Sequence, residues 1–366
     1  MKTHLRKYGL LIFILSVMSL FAACGDDDNP VPDEPQEALP KLKITSPENN
    51  SAVYLDGRYT GKVTPVELEV SEGEHTIGVG QYSSETYLKR EIKVEPSKEP
   101  VMNVDLTEDD VQKAKTWKLL FVGVNSVCGL TNSGVKDTLS YTKEELDIAC
   151  DYLQYSFQKY LEPYSYNTIK WEFERHDIEN DVVLLNPQNL FDPQRFEKYI
   201  TEWGLKKGDY DLIVIFYRFE GENENSDDDD LGTFNGMAWY EKTALSIRSS
   251  YLMIRYYKNV QAWIDHMKAN DPGMYVHEWL HTVCETFYPS YGTPVPDPNM
   301  GGGSVLHAIE AYGYRYPWMT GYRDLMRGQI KEKNSDNPKN PKHLPYVGMS
   351  PEDFLEHTVR EAALED

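Results

Sequence analysis

A chain of 366 residues, 40% apolar and 12% aromatic, is long enough for more than one domain and too apolar to stay disordered. Its formal charge of −22, from 59 acids against 37 bases, leaves no basic surface for phosphate and argues against a nucleic-acid partner. The same charge keeps copies apart, so a monomer is expected. Residues 1–23 reverse this balance: Lys2, Arg6 and Lys7 stand without an acid ahead of an apolar run from Leu10 to Phe21. About a dozen apolar residues fall short of the roughly 20 that span a bilayer, so this segment reads as a signal peptide.

Leu20-Phe21-Ala22-Ala23-Cys24 resembles a bacterial lipobox, which implies cleavage before Cys24 and lipid on that cysteine. Gly25-Asp26-Asp27-Asp28 is similar to the acidic export signal of Bacteroidetes-type surface lipoproteins; as plain chemistry it is a solvated acidic stretch. Residues 24–40 are acidic and Pro-rich without periodicity, a stiff tether. The resemblance implies a protein held to the outer membrane by lipid and exposed at the cell surface, with no membrane-spanning helix.

Residues 41–106 alternate apolar and polar side chains in the segments KLKITS, AVYLDG, VELEVSEG, HTIGVGQY and REIKVE, which predicts a small all-β module. Asp56-Gly57 and Glu72-Gly73 stand where hairpin turns belong. Tyr59-Thr60-Gly61, Thr64-Pro65 and Gly73-Glu74-His75 resemble the PEGA family, compact β modules of bacterial surface proteins, which implies a spacer or an adhesion module. His75 reads as a turn residue at a strand start.

After a polar junction, residues 107–366 alternate β and α signals and predict a mixed α/β (α+β) domain. Trp117–Val124 and Asp211–Tyr217 read as buried strands, and Ile169–Phe173 as another. Thr142 and Glu145 form a capping box before Leu146, Cys150, Leu153, Phe157 and Leu161 at helical spacing. Asp192-Pro193 opens a helix through Trp203. An acidic loop carries Asp227-Asp228-Asp229-Asp230, dense enough in oxygen for Ca²⁺ yet without EF-hand spacing, so a solvated loop is the simpler reading. GMAWYEK and ALSIRSSYLMIRYY read as strands, and residues 259–268 as a helix. With Cys24 lipidated, Cys128, Cys150 and Cys284 remain; a Cys128–Cys150 bridge is permitted in an oxidising compartment, and the odd count leaves it open.

The chemistry lies in His277-Glu278-Trp279-Leu280-His281. One helical turn separates the two histidines, so both imidazoles project from one face and can share one Zn²⁺. Glu278 lies about 100° round the helix, where it can take a proton from water. The five residues are an HExxH motif and resemble those of the zincin metallopeptidases. That resemblance implies a zincin-like domain, a single zinc ion and peptide-bond hydrolysis in protein or glycoprotein substrates. The metzincin extension is excluded, because Cys284 and Phe287 stand where its Gly and third His belong. Cys284 shares the histidine face and reads as a packing or supporting residue.

A third ligand must therefore come from further along. Ser304 can cap a helix over SVLHAIEAYGY, on which His307 and Glu310 face one way. His307 is the favoured third ligand and Glu310 the alternative. The LHxxExYGY pattern is similar to that of Bacteroidetes-type lipoproteins with HEWLH-like helices. Tyr312 and Tyr314 are candidates to steady an oxyanion, although packing is the commoner fate of a tyrosine. The rival to a surface-anchored metallopeptidase is a non-catalytic lipoprotein that binds host or cell-surface protein or glycan.

Overall fold

The alternating segments near the N-terminus form seven strands: β1 (Lys41–Thr45), β2 (Ala52–Leu55), β3 (Arg58–Val63), β4 (Val66–Glu69), β5 (His75–Ser83), β6 (Thr86–Val94) and β7 (Val101–Asn103). The computed structural model describes residues 39–365 except 84, 131–133, 219–234, 241–245 and 257–258. The signal peptide, Cys24, the tether up to residue 38 and the Asp227–Asp230 loop lie outside the described residues. One sheet has the order β4-β1-β7 and the other β3-β2-β5-β6. Period-two burial follows directly: in β1, Leu42 and Ile44 point inward while Lys41 and Lys43 are exposed. Val53, Leu68, Ile77, Val79 and Val94 complete the core between the sheets. Between β2 and β3, Asp56 and Gly57 take φ of 49° and 78°, as a two-residue turn that follows strand twist requires.

The second domain is built on β8 (Lys115–Leu130), β9 (Lys136–Ser140), β10 (Ile169–Leu184), β11 (Leu212–Arg218), β12 (Asn235–Tyr240) and β13 (Ser250–Tyr256). The order is β10-β8-β11-β13-β12, with β9 paired to the far end of β8. Every main pairing is parallel except that of β12, the antiparallel edge strand. Between the strands run α1 (Lys143–Ser156) and α2 (Pro193–Trp203), and after β13 come α3 (Val260–Asn270) and α4 (Met274–Thr282).

Strand β11 is buried without a break from Leu212 to Tyr217 because both faces are covered. Leu212, Val214 and Phe216 join the core under α1, α3 and α4. Ile213, Ile215 and Tyr217 pack with Phe196, Tyr199 and Ile200 of α2 on the other face. The Thr142–Glu145 capping box is formed, with Glu145 N–H donating to Thr142 Oγ1 at 3.2 Å and Thr142 N–H to the Glu145 carboxylate at 2.8 Å. Strands β8 and β10 run well beyond the segments their sequence pattern marked out, since each supports the other over thirteen paired positions. The segment expected to be one long strand before α3 becomes a strand only at Ser250; Arg248, at φ 51°, turns the chain just before it.

Three further helices close the chain: α5 (Met319–Leu325), α6 (Asp353–Glu356) and α7 (Val359–Glu365). Cys128 and Cys150 are free thiols, so no bridge joins them. Among the described residues no helix is long and apolar enough to cross a membrane.

Candidate metal centre

Helix α4 follows Gly273 and carries His277 and His281 one turn apart. The helix is fixed by core residues: Val276, Trp279 and Leu280 are fully buried, as are Val283 and Cys284 just after it. The two imidazoles turn toward each other, with Nε2 atoms 3.1 Å apart. His307 arrives from the chain beyond, stacks on the His277 ring at 5.5 Å and meets the His281 ring edge-on at 5.1 Å. One ligand nitrogen from each histidine lies within 4.8 Å of the others. Three imidazoles at one point are the donor set for a borderline-soft divalent ion, and Zn–N bonds of about 2.0–2.1 Å at tetrahedral angles place ligand nitrogens roughly 3.3 Å apart. The residues present fit such an ion.

Each of the two helix imidazoles is held from behind. His277 Nδ1 is 2.8 Å from the Tyr322 hydroxyl on α5. His281 Nδ1 is 3.0 Å from Glu285, one turn further along. Glu285 is held in turn by the Ser304 hydroxyl at 2.5 Å and the Leu306 N–H at 3.4 Å. With Nδ1–H donated to these partners, Nε2 keeps its lone pair for a metal. Close packing makes this reach possible, because a side chain on Gly273 would meet Met319 Sδ at 2.6 Å and the Tyr322 ring at 3.0 Å.

The electrostatics suit a cation. Burial and the neighbouring imidazoles push His277 down to about 3, so it stays neutral. His307 is also lowered, by burial and by His281. Burial alone would raise Glu285, but the bonds from His281 and Ser304 outweigh it and hold this carboxyl at about 2. Glu278 is the contrast: it is 6% exposed, and burial pushes it up to about 7. Strand β12 closes over it. A Cβ on Gly236 would stand 2.2 Å from Glu278 Oε1, so only glycine lets the edge strand approach this carboxylate.

Behind the helix, Trp279 packs against Trp117, Trp171 and Phe354 at ring separations of 5.8, 5.7 and 6.2 Å. Phe354 belongs to α6, and its neighbours Glu352 and Asp353 reach the N-terminal β module. Buried Lys89 lies 2.9 Å from Glu352, and Arg58 lies 3.6 Å from Asp353. Tyr59 meets Tyr346 edge-on at 5.3 Å. Residues 39–110 match the PEGA domain. No curated protein and no solved structure matches the chain. The PEGA module thus touches the segment that backs the HExxH helix.

His277, His281 and His307 are brought together, Glu278 follows His277 on the same helix, and Glu310 is not among the converging ligands. Glu310 instead accepts the Trp318 indole N–H at 2.9 Å. The helix expected after Ser304 is only a tight turn over His307–Glu310. Ser304 does accept the His307 N–H at 3.2 Å, yet its hydroxyl is spent on Glu285, and Gly313 at φ 103° turns the chain away. Tyr312 and Tyr314 do not serve the cluster: their hydroxyls donate to Glu332 at 2.8 Å and Asp324 at 2.9 Å. Tyr322 takes the place beside His277. Cys284 is fully buried in the core and is no ligand. Glu285 and Tyr322 escaped the sequence reading, though Glu285 carried a signal, its i,i+4 spacing from His281.

Proposed function

We propose that the protein is a surface-anchored, zinc-dependent peptidase, with lipid at Cys24, a PEGA module next and a zincin-like hydrolytic domain after it. The observation that carries this reading is the convergence of two imidazoles of one helix with a third from His307, where the same helix carries a buried carboxylate next to His277. A purely structural metal site has no use for Glu278. Zinc held by His277, His281 and His307 would supply a Lewis acid at that point.

The chain's own residues do the rest. Glu278 accepts a proton from the attacking water and returns it to the leaving amine, while the water oxygen bonds the carbonyl carbon and the C–N bond breaks. A carboxyl poised near 7 suits both transfers. Tyr322 and Glu285 hold the imidazoles in one orientation. Strand β12 pairs only with β13 among the described residues, so its outer edge can receive an extended peptide by strand addition next to Glu278.

The test is a proteome-derived peptide library incubated with the zinc-loaded protein, with and without a chelator. Cleavage that stops on chelation and returns with zinc is the expected result. Intact peptides under all conditions would reject the peptidase and favour a binding lipoprotein.

A further inference from the structure

Glu310, released from metal duty, stands at a distinctive place. In a tight turn with three residues per turn, positions i and i+3 eclipse, so the Glu310 carboxylate lies on the same side as the third histidine. It is exposed, and one oxygen takes the Trp318 indole N–H at 2.9 Å. No lysine or arginine among the described residues pairs with it. Trp318 lies nearly parallel to the His277 ring at 6.0 Å, and Tyr316, 57% exposed, meets Trp318 edge-on at 5.1 Å. Trp318 adopts φ 56°, a left-handed conformation that a bulky residue rarely takes. Its N–H bond to Arg315 O at 2.8 Å and its indole bond to Glu310 hold it there. An indole is thus fixed beside the site, and the carboxylate at its edge has no lysine or arginine partner among the described residues.

That combination selects a class of side chain. A cation over a Trp or Tyr face is attracted by the ring's negative face, and a carboxylate adds a charge-assisted hydrogen bond. An apolar side chain would instead strip water from Glu310 and give nothing back. We propose that Glu310, Trp318 and Tyr316 form a subsite for a lysine or arginine of the substrate close to the scissile bond. This rests on the peptidase reading and names its substrate class. A net charge of −22 draws such peptides toward the protein.

The test pairs two readouts on the full chain. In the first, the zinc-loaded protein cleaves a position-scanning peptide set with lysine or norleucine at each position. One position should favour lysine by about tenfold in kcat/KM, a preference of the size that cation–π and carboxylate contacts give. Glu310→Gln should bring that ratio to about one with zinc content unchanged, and Glu310→Lys should favour glutamate there. In the second, the best lysine peptide is titrated into Glu278→Gln protein and read by tryptophan fluorescence, and adding Glu310→Gln should weaken binding by a similar factor. Hydrolysis with no lysine preference, a ratio that Glu310→Gln leaves unchanged, or zinc lost from Glu310→Gln would overturn the subsite. No hydrolysis by wild type, with peptide binding still dependent on Glu310, would overturn the peptidase reading and leave the subsite standing.

Discussion

Gly236→Ala is the sharpest probe of how β12 and the HExxH helix work together. The added methyl would stand 2.2 Å from Glu278 Oε1 and 2.5 Å from its Cδ, where ordinary contact begins near 3.4 Å. The carboxylate must therefore retreat by about 1 Å, and a misplacement of that size typically costs about 10² in rate. The clash is with the far end of a flexible side chain, so the fold should survive with its melting temperature within a few degrees. Zinc content should also hold, since no ligand is touched. The assay is kcat/KM on one cleavable peptide, beside zinc per chain and thermal unfolding, for Gly236→Ala, Glu278→Gln and the double variant. Because both changes act on one carboxylate, the double variant should be little worse than Glu278→Gln alone. Full activity in Gly236→Ala with normal zinc would refute the placement of Glu278 as the base under β12.

Other outcomes follow from particular contacts. Glu285→Gln and Tyr322→Phe should each weaken zinc binding or activity by about 10–100-fold, measured by competition with a chromogenic chelator; wild-type affinity in both would remove their supporting role. Burial holds Asp211 up at about 6 despite bonds from Lys118 and Arg360, while an unfolded aspartate titrates near 3.9. Its contribution to stability is therefore fully present below the unfolded value and lost as pH rises through 6, by about 3 kcal/mol. Asp211→Asn should flatten that loss in urea titrations at pH 4 and 6.5, and an unchanged pH slope would refute it. Residues 41–106 should unfold cooperatively on their own, because their core is internal, and a fragment without a cooperative transition would count against that. In the full chain, Lys89→Ala should cost about 1–3 kcal/mol by leaving Glu352 with the Tyr87 hydroxyl and no cation, read by chemical denaturation, and no loss would show the docking contact to be idle.

Local patterns in the sequence carried far, and long-range ones did not. The β module was legible because period-two alternation and Asp56-Gly57 are local signals. So was the histidine pair, whose four-residue spacing sets its geometry within one turn. The capping box at Thr142 and the helix from Pro193 follow the same logic. His307 could be named only as one of two neighbours, since nothing local says which of His307 and Glu310 turns inward. In the structure His307 joins the other two histidines, while Glu310 accepts the Trp318 indole N–H. Tyr322 was hidden among 26 tyrosines, because its role depends on α5 packing against Gly273. Tyr312 and Tyr314 looked apt by proximity in sequence, yet acidic partners at Glu332 and Asp324 claim their hydroxyls. The sequence likewise had no means of revealing that the PEGA module contacts the segment behind Trp279.

The most direct measurement is zinc per chain, with peptide hydrolysis in the same samples, for wild type, Glu278→Gln, His277→Ala and His307→Ala. About one zinc should remain in wild type and Glu278→Gln, with hydrolysis lower by about 10² or more in the latter. Both histidine variants should lose the metal and the activity together. A full equivalent of zinc in His277→Ala or His307→Ala, or wild-type hydrolysis by Glu278→Gln, would contradict a three-histidine centre served by that base.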